Sequence, residues 1–576
     1  MKKRYLKYFL LAAAVSAICW DLAVSKMDAV SGTYRLESEF DGYSGATTKV
    51  GIVTSDYAEL SDPVSRNSNP SYKQIEEMVG KAIELQGGFE YVIDTGDQVM
   101  IKVNLVGGND LSGNGENTDV RVVKALIKHI DDYTTGKVEI IVAEGTARTN
   151  DDPKKSGSVW ENSGYTDLLT DTSLNDINFS LLNLNQSFDD VVEVDLGSEG
   201  TSAPQGTKYY VHRAELEADV YIVVPVLKIH NTGITNALKL QVGTCPGAWY
   251  GYNKTGGTVH CPKGLRHEIG QRVWTTEAIV DLCNVADIDF CVVDAIMCLE
   301  TKKTDSEYNR VRFNTIFAGA DPVAIDHVGA KLMGLNPDDV AHVTLAEKVG
   351  LGTNDPDQII IEGVPISEAM IKVKKSESKD GRYGQSNRTW ILSQAFEGTD
   401  INQEFFINEA GIEPVPGKTG WSQPVYFFDD RIDLLNYYSS ATNVVTHAFT
   451  YFDALKDQEA ELWLGTHEAI QVYVNGDNIY SFTSTRAYSD DDRGDYVKKI
   501  NIKQGRNTLL VKTLNKYGDF TFALNICEVE RDPLYTGNRV DGLKFYIDEL
   551  GSGSELNTGS SVRELGNNLT SVSYTH

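Results

Sequence analysis

The chain has no clustered basic charge, no second long apolar run and no paired-cysteine motif, and each of these gaps narrows what the protein can be. Its 53 Lys and Arg stand against 82 Asp and Glu, a formal net charge of -29. Nucleic-acid binders hold phosphates with clustered cations, so no DNA or RNA partner is expected, and the acidity reads as a solubility feature. Beyond the first residues, nothing approaches the roughly 20 apolar residues a bilayer span needs. Cys19, Cys245, Cys261, Cys283, Cys291, Cys298 and Cys527 show no CxxC spacing, which argues against a zinc knuckle or an iron-sulfur cluster.

What is present begins with Met1-Lys2-Lys3-Arg4 followed by an apolar stretch from Tyr8 to Ala17. A charged head and a short apolar body, with Val15-Ser16-Ala17 as the cleavage tripeptide, read as a signal peptide over 1–17. A lipid-modified Cys19 is the lesser alternative. The mature protein is expected to be periplasmic, secreted or held at the cell surface, without a transmembrane segment. Export permits disulfides; Cys245 and Cys261 share one Gly-rich segment and are the first pair to test, whereas Cys283 and Cys291 read as buried, inert thiols in a helix and a strand.

At 576 residues the chain exceeds one core. From Lys49 to Ile366, β-branched runs alternate with amphipathic stretches, which predicts an α/β fold over 48–372: a mostly parallel sheet with flanking helices. Strands are expected at Val50 to Thr54, Val99 to Leu105, Val138 to Ala143, Tyr221 to Val226 and Phe290 to Ala295. Helices are expected at Tyr72 to Leu85, Val120 to Tyr133, Thr276 to Val285 and Pro322 to Met333, the last capped by Asp321. A polar linker follows over 373–389. An all-β sandwich is expected over 390–530, with period-two alternation from Ala460 to Val529 and a hairpin turn at Asn475-Gly476. The tail, 531–576, has no firm period, although Leu543 to Leu550 could add a strand or a short helix.

The most informative stretch is Val220 to Gly247, where an apolar run breaks into Lys228, His230, Thr235 and Lys239. Ligands of open α/β sheets sit beyond the carboxyl ends of the strands, and other strands deliver Lys102, Asn104, Glu144 and Asp294 to that edge. The expected roles are substrate contacts from Lys102, Asn104, Lys228, Thr235 and Lys239, and acid-base work by His230, Glu144 and Asp294. A divalent metal ion would take His230, His267 and Asp294. The segment Asn231 to Lys239 could open a helix whose amides bind an anion. Blander roles stand beside these: Lys102 as a solvent-facing strand lysine, Asn104 and Glu144 satisfying turn amides, Asp294 capping a loop, His260 and His267 as loop residues. Asp326 and His327 would face the crevice or solvent.

The stretches VMIKVNLVG, VAEGTART, VYIVVPVLKIHNTGITNALKLQVG, FCVVDAIMCLE and AGADPVAIDHVGAKLMGL resemble, in order and spacing, the motifs of the DUF362 domain family over roughly residues 48 to 360. By that resemblance Lys102, Asn104, Glu144, Lys228, His230, Thr235, Lys239, Asp294, Asp321 and Asp326 occupy motif positions. Val103, Asn236 and Leu240 depart from the family's usual Pro, Gly and Asn, and the ferredoxin-type cysteines of many members are absent. The resemblance implies the fold and the site and leaves the reaction undefined. The run from His230 to Lys239 is more distantly similar to a segment of lactate-racemase-like proteins, which hold a nickel pincer cofactor through a lysine and histidines. The β-rich region resembles jelly-roll modules of secreted bacterial enzymes, which implies a carbohydrate partner or a spacer; Trp463, Tyr473, Tyr480 and Tyr488 could stack on sugars, but such aromatics more often fill a core. The resulting expectation is an exported, enzyme-like α/β domain acting on a small-molecule anion, with a β-sandwich accessory module. The rival is a noncatalytic surface or assembly protein.

Overall fold

The computed structural model describes residues 47–529 except 107–111, 149–150, 186–187, 202–206, 231–232, 255–275, 305–306, 338–339, 374–386, 388, 428–431, 439–441, 485–495 and 519, together with 34–35, 540, 543–545, 556–557 and 562–564. The expected signal peptide, most of the expected linker, and Cys19, Cys261, His260, His267 and Tyr488 lie outside the described residues. Among the described residues no helix is long and apolar enough to cross a membrane.

The first unit is built from β1 (Thr48–Thr54), α1 (Tyr72–Gln86), β2 (Gln98–Val103), α2 (Val120–Thr134), β3 (Glu139–Glu144), β4 (Phe179–Asn183), β5 (Val220–Val224), β6 (Val226–His230) and β7 (Gly233–Thr235). It continues with α3 (Thr276–Ala286), β8 (Phe290–Thr304), β9 (Glu307–Gly319), α4 (Pro322–Leu332), α5 (Ala341–Lys348) and β10 (Ile359–Gly363). The strands order as β10-β1-β9-β8-β5-β2-β3-β4, with β6 and β7 attached beside β8. Only β9, within that path, runs antiparallel to its neighbours. The helices lie in two layers: α3, α4 and α5 cover one face of the sheet, and α1 and α2 cover the other. The expected mostly parallel α/β sheet with flanking helices is therefore present.

Local chemistry explains the boundaries. Ser71 and Gln74 form a reciprocal capping box at α1, and Gly87 closes that helix in the left-handed region at φ 117°. Asp321 accepts from the amides of Val323 and Ala324 at 2.9 Å, so α4 begins where its Asp-Pro pair predicts. All five side chains of β5 are buried, each Val or Ile contributing about 1.5–3 kcal/mol on full burial. Pro225, which has no N–H to donate, separates β5 from β6, and its carbonyl accepts from the Asp294 amide at 2.9 Å.

Three features depart from the expectations. The strand beginning at Phe290 runs to Thr304 and pairs with β9 in a long hairpin; its mixed polar residues hide the extended conformation that pairing imposes. Gly233 to Thr235 is a strand and not the start of a helix: Gly233 pairs with His230 and Thr235 with Lys228, so β6 and β7 form a hairpin, which Gly233 enters at φ 97°, and only a short 3-10 helix follows, from Lys239 to Thr244. The amides of Gly233 to Thr235 belong to a strand pair and present no helix terminus to an anion. Asp326 and His327 face neither crevice nor solvent. Both are buried, Asp326 lying 3.5 Å from His342 and His327 Nδ1 lying 2.9 Å from Asn354 Oδ1.

The second unit is all-β. One antiparallel sheet contains β11 (Thr389–Ser393), β12 (Trp421–Phe427), β13 (Val444–Ala454), β15 (Ala469–Val474), β16 (Asp477–Phe482) and β18 (Gly505–Asn515). The other contains β14 (Gln458–Thr466), β17 (Tyr496–Ile502) and β19 (Thr521–Glu528). Residues of both sheets, among them Trp390, Phe452, Leu462, Val511 and Phe522, share one core. Asn475 and Gly476, at φ 53° and 84°, make the expected turn between β15 and β16. The tail returns to this unit, Lys544–Phe545 pairing with β13 and Val562–Glu564 with β12. Trp463 is buried and donates to Glu461, while Tyr473 and Tyr480 are half-buried.

Candidate functional site

The carboxyl ends of β2, β3 and β6 carry polar residues singled out from the sequence, whereas Asp294 lies in the first half of β8. Lys102, on β2, is fully buried. Its ammonium pairs with Glu144 Oε1 at 2.9 Å and donates to the Val103 carbonyl at 2.8 Å. Glu144, at the end of β3, also accepts from the Leu105 amide at 2.9 Å through Oε2 and from Gly145 N at 2.7 Å through Oε1. One carboxylate thus ties together the loops that leave two neighbouring strands. A Cβ on Gly243 would stand 2.4 Å from Glu144 Oε1 and 2.8 Å from Lys102 Nζ, so the segment after β7 lies directly against the pair.

Next to this clamp sits a lysine the sequence reading passed over. Lys254 is buried, and its ammonium donates to Asn185 Oδ1 and to the Cys245 carbonyl, each at 2.8 Å. Burial pushes its pKa down to about 8. Its backbone φ of 61° and its place in a Gly-rich excursion hid it: nothing in the local pattern ties it to a strand end.

Lys228 and Lys239 form a second group. Lys228 donates to Asn104 Oδ1 at 2.6 Å and to the Glu116 carbonyl at 2.7 Å, and burial lowers its pKa to about 8. Thr235 lies opposite Lys228 in the β6–β7 pair, and its hydroxyl is 3.4 Å from Lys239 Nζ. Lys239 keeps some surface open to solvent, yet burial first and the charge of Lys228 second bring its amine down to about 7. Among the described residues no carboxylate lies within ion-pair distance of either amine.

Asp294 and His230 are placed apart. Asp294 is opposite Val226 in the β6–β8 register, whereas His230 is four residues further along β6, roughly 13 Å at the usual strand rise. Asp294 Oδ2 accepts from the Asp119 amide at 2.7 Å and Oδ1 from Ile296 N at 3.0 Å; burial, and then the Asp119 charge, raise its pKa to about 7. Asp119 caps α2 and holds Arg121 at 2.6 Å. His230 is half-buried and shares its strand face with Lys228. The structure therefore brings Lys102 to Glu144, and Lys228 to Asn104, Thr235 and Lys239, and leaves Asp294 beside Asp119. His267 lies outside the described residues, and among the described residues no group of three His, Cys, Asp or Glu is gathered to hold a metal. The oxygens of Asp294 are directed at backbone amides, so Asp294 and His230 do not fit a shared metal, and no step is derived through one. Cys283 and Cys291 are buried thiols in α3 and β8, as expected.

Fold and site define an α/β protein with a lysine-rich carboxyl edge. Residues 99–331 match the family described as "Domain of unknown function (DUF362)", and that part of the chain is a DUF362 domain, within the wider span that the motifs suggested. No curated protein matches. Among solved structures, lactate racemase apoprotein from Thermoanaerobacterium thermosaccharolyticum is 13% identical with a TM-score of 0.27, over 48% of this chain and 54% of that one. A β-glucosidase from Kluyveromyces marxianus is 10% identical with a TM-score of 0.19, over 25% of this chain and only 17% of its own length. A family 35 carbohydrate binding module from Clostridium thermocellum is 14% identical with a TM-score of 0.14, over 24% of this chain and 92% of the module.

Proposed function

We propose that the carboxyl edge of the α/β sheet binds a small-molecule anion, held by Lys228 and Lys239 with Asn104 and Thr235, in an exported protein whose antiparallel unit is an accessory module. The observation that carries this reading is the pair of enclosed amines, neither with a carboxylate at ion-pair distance among the described residues, burial outweighing the charges of Glu116 and Glu144 at Lys228. Enclosing two like charges is costly, and an anion beside them offsets that cost. Lys102 is already neutralised by Glu144, so it supports the loops rather than the ligand. Glu144 and Asp294 are engaged on backbone amides, and His230, half-buried on the strand face of Lys228, is assigned the proton transfer on a bound substrate.

Thermal shift and calorimetry on full-length protein with carboxylates, sulfate and phosphate test the reading. Lys228→Met and Lys239→Met should each weaken anion binding about tenfold or more. Unchanged affinity in both variants would remove the site. Metal analysis of the same preparation checks the misfit of Asp294 and His230 to a shared metal: stoichiometric metal that disappears in both His230→Ala and Asp294→Ala would overturn it. An anion site without turnover on any acid tested would favour the noncatalytic binding protein.

A further inference from the structure

The two amines of the site are not equivalent. Lys228 has two fixed acceptors, Asn104 Oδ1 at 2.6 Å and the Glu116 carbonyl at 2.7 Å, which orient its ammonium and leave one donor for a ligand. Lys239 has one long contact, 3.4 Å to the Thr235 hydroxyl, with a cation rather than a carboxylate for a charged neighbour. A loosely held amine beside a fixed ammonium is the arrangement of a nucleophile paired with an anion anchor.

We propose that Lys239 captures the carbonyl carbon of a small oxo acid as an imine, with Lys228 and Asn104 holding the carboxylate of the same molecule. This rests on the anion-binding reading of the site and names the ligand class: a carboxylate with a ketone or aldehyde close to it. The neutral amine of Lys239 adds to the carbonyl carbon, forming the C–N bond. The carbonyl oxygen then departs as water with the two protons of the original amine, and the imine nitrogen takes a proton from solvent. No oxidant or reductant is required. Near neutral pH about half of the Lys239 amines are unprotonated, since burial and the Lys228 charge hold that group at about 7, while Lys228, at about 8, remains mostly cationic. Thr235, within reach of Lys239 Nζ, is placed to donate to the departing oxygen. The other lysines of the edge do not qualify: Lys102 is locked to Glu144 and Val103, and Lys254 to Asn185 and Cys245.

The test incubates full-length protein with pyruvate and sodium cyanoborohydride near pH 7, followed by intact and peptide mass spectrometry, with sulfate-induced thermal shift measured on the same samples. One adduct per chain is expected, at Lys239, with the mass of pyruvate less one oxygen. It should be absent in Lys239→Arg, which keeps the charge, and should require about tenfold more pyruvate in Lys228→Met. No adduct, adducts scattered over surface lysines, or an adduct undiminished in Lys239→Arg would each overturn the imine. If sulfate still shifts the melting temperature while no adduct forms, the imine fails and the anion site stands; loss of both removes both.

Discussion

Gly243 and Glu144 show how tightly single positions are constrained at this edge. Any side chain at Gly243 meets a buried carboxylate at 2.4 Å and a buried ammonium at 2.8 Å, neither of which can retreat without losing its partner. Gly243→Ala should cost about 1–3 kcal/mol by overpacking, read as a lower urea midpoint at unchanged slope. Glu144→Ala leaves Lys102 buried and uncompensated and should cost about 3–5 kcal/mol; Glu144→Ala/Lys102→Met should recover part of that loss in a double-mutant cycle. The clamp was half visible in the sequence: Lys102 and Glu144 were marked at strand ends, but a lysine alternating with apolar neighbours reads equally as solvent-facing. The adjacency of β2 and β3 turns it inward. Lys254 was not legible, because its partners are a backbone carbonyl, that of Cys245, and a side chain, Asn185, from a distant turn.

At the scale of elements, α1, α2 and α4 start and stop, and α3 stops, within two residues of the positions their caps and periodicity predict, because those signals are local. The cap at Asp321 supports more than its helix: besides the two amides of α4, its Oδ2 accepts from Thr353 N at 3.0 Å. Asp321→Ala should therefore cost more than an ordinary cap, about 2 kcal/mol, with hydrogen exchange quickening at 321–325 and at 353. The β6–β7 hairpin went unread because its two strands are short and joined at Gly233, and the same Thr-Gly signal opens helices and turns alike. The β8–β9 hairpin was unread for a related reason: its length is set by pairing with a partner and not by alternation.

For the whole molecule, the enclosed groups impose a characteristic pH dependence. Lys228, Lys239 and Lys254 have folded values of about 8, 7 and 8 against 10.5 in the free side chain. The folded state then binds fewer protons than the unfolded one, and stability rises from pH 7 toward 10. Asp281, Asp294 and Asp321 have values of about 7, 7 and 6 against 3.8. Here the folded state keeps protons the unfolded state has released, so stability present below pH 4 is lost as pH rises to about 7. Ligand-free protein should melt lowest near pH 7 to 8, and a saturating anion should fill that minimum while changing the melting temperature little at pH 10. A scan of melting temperature from pH 4 to 10, with and without the anion, checks both statements; Lys239→Met should flatten the rise above pH 7.

Five strands and four helices of the α/β unit, the all-β character of the second unit and the identity of the residues at strand ends were determined by the sequence itself, because periodicity, caps and turn residues act over a few positions. Which of those residues meet was decided only by the tertiary structure. Sheet order seats Glu144 beside Lys102 and turns Asp294 toward Asp119, and a hairpin folds Thr235 back across Lys228 to meet Lys239. Electrostatic partnership depends on distance in space and on the water excluded between groups, and neither quantity is written in the spacing of residues along a chain.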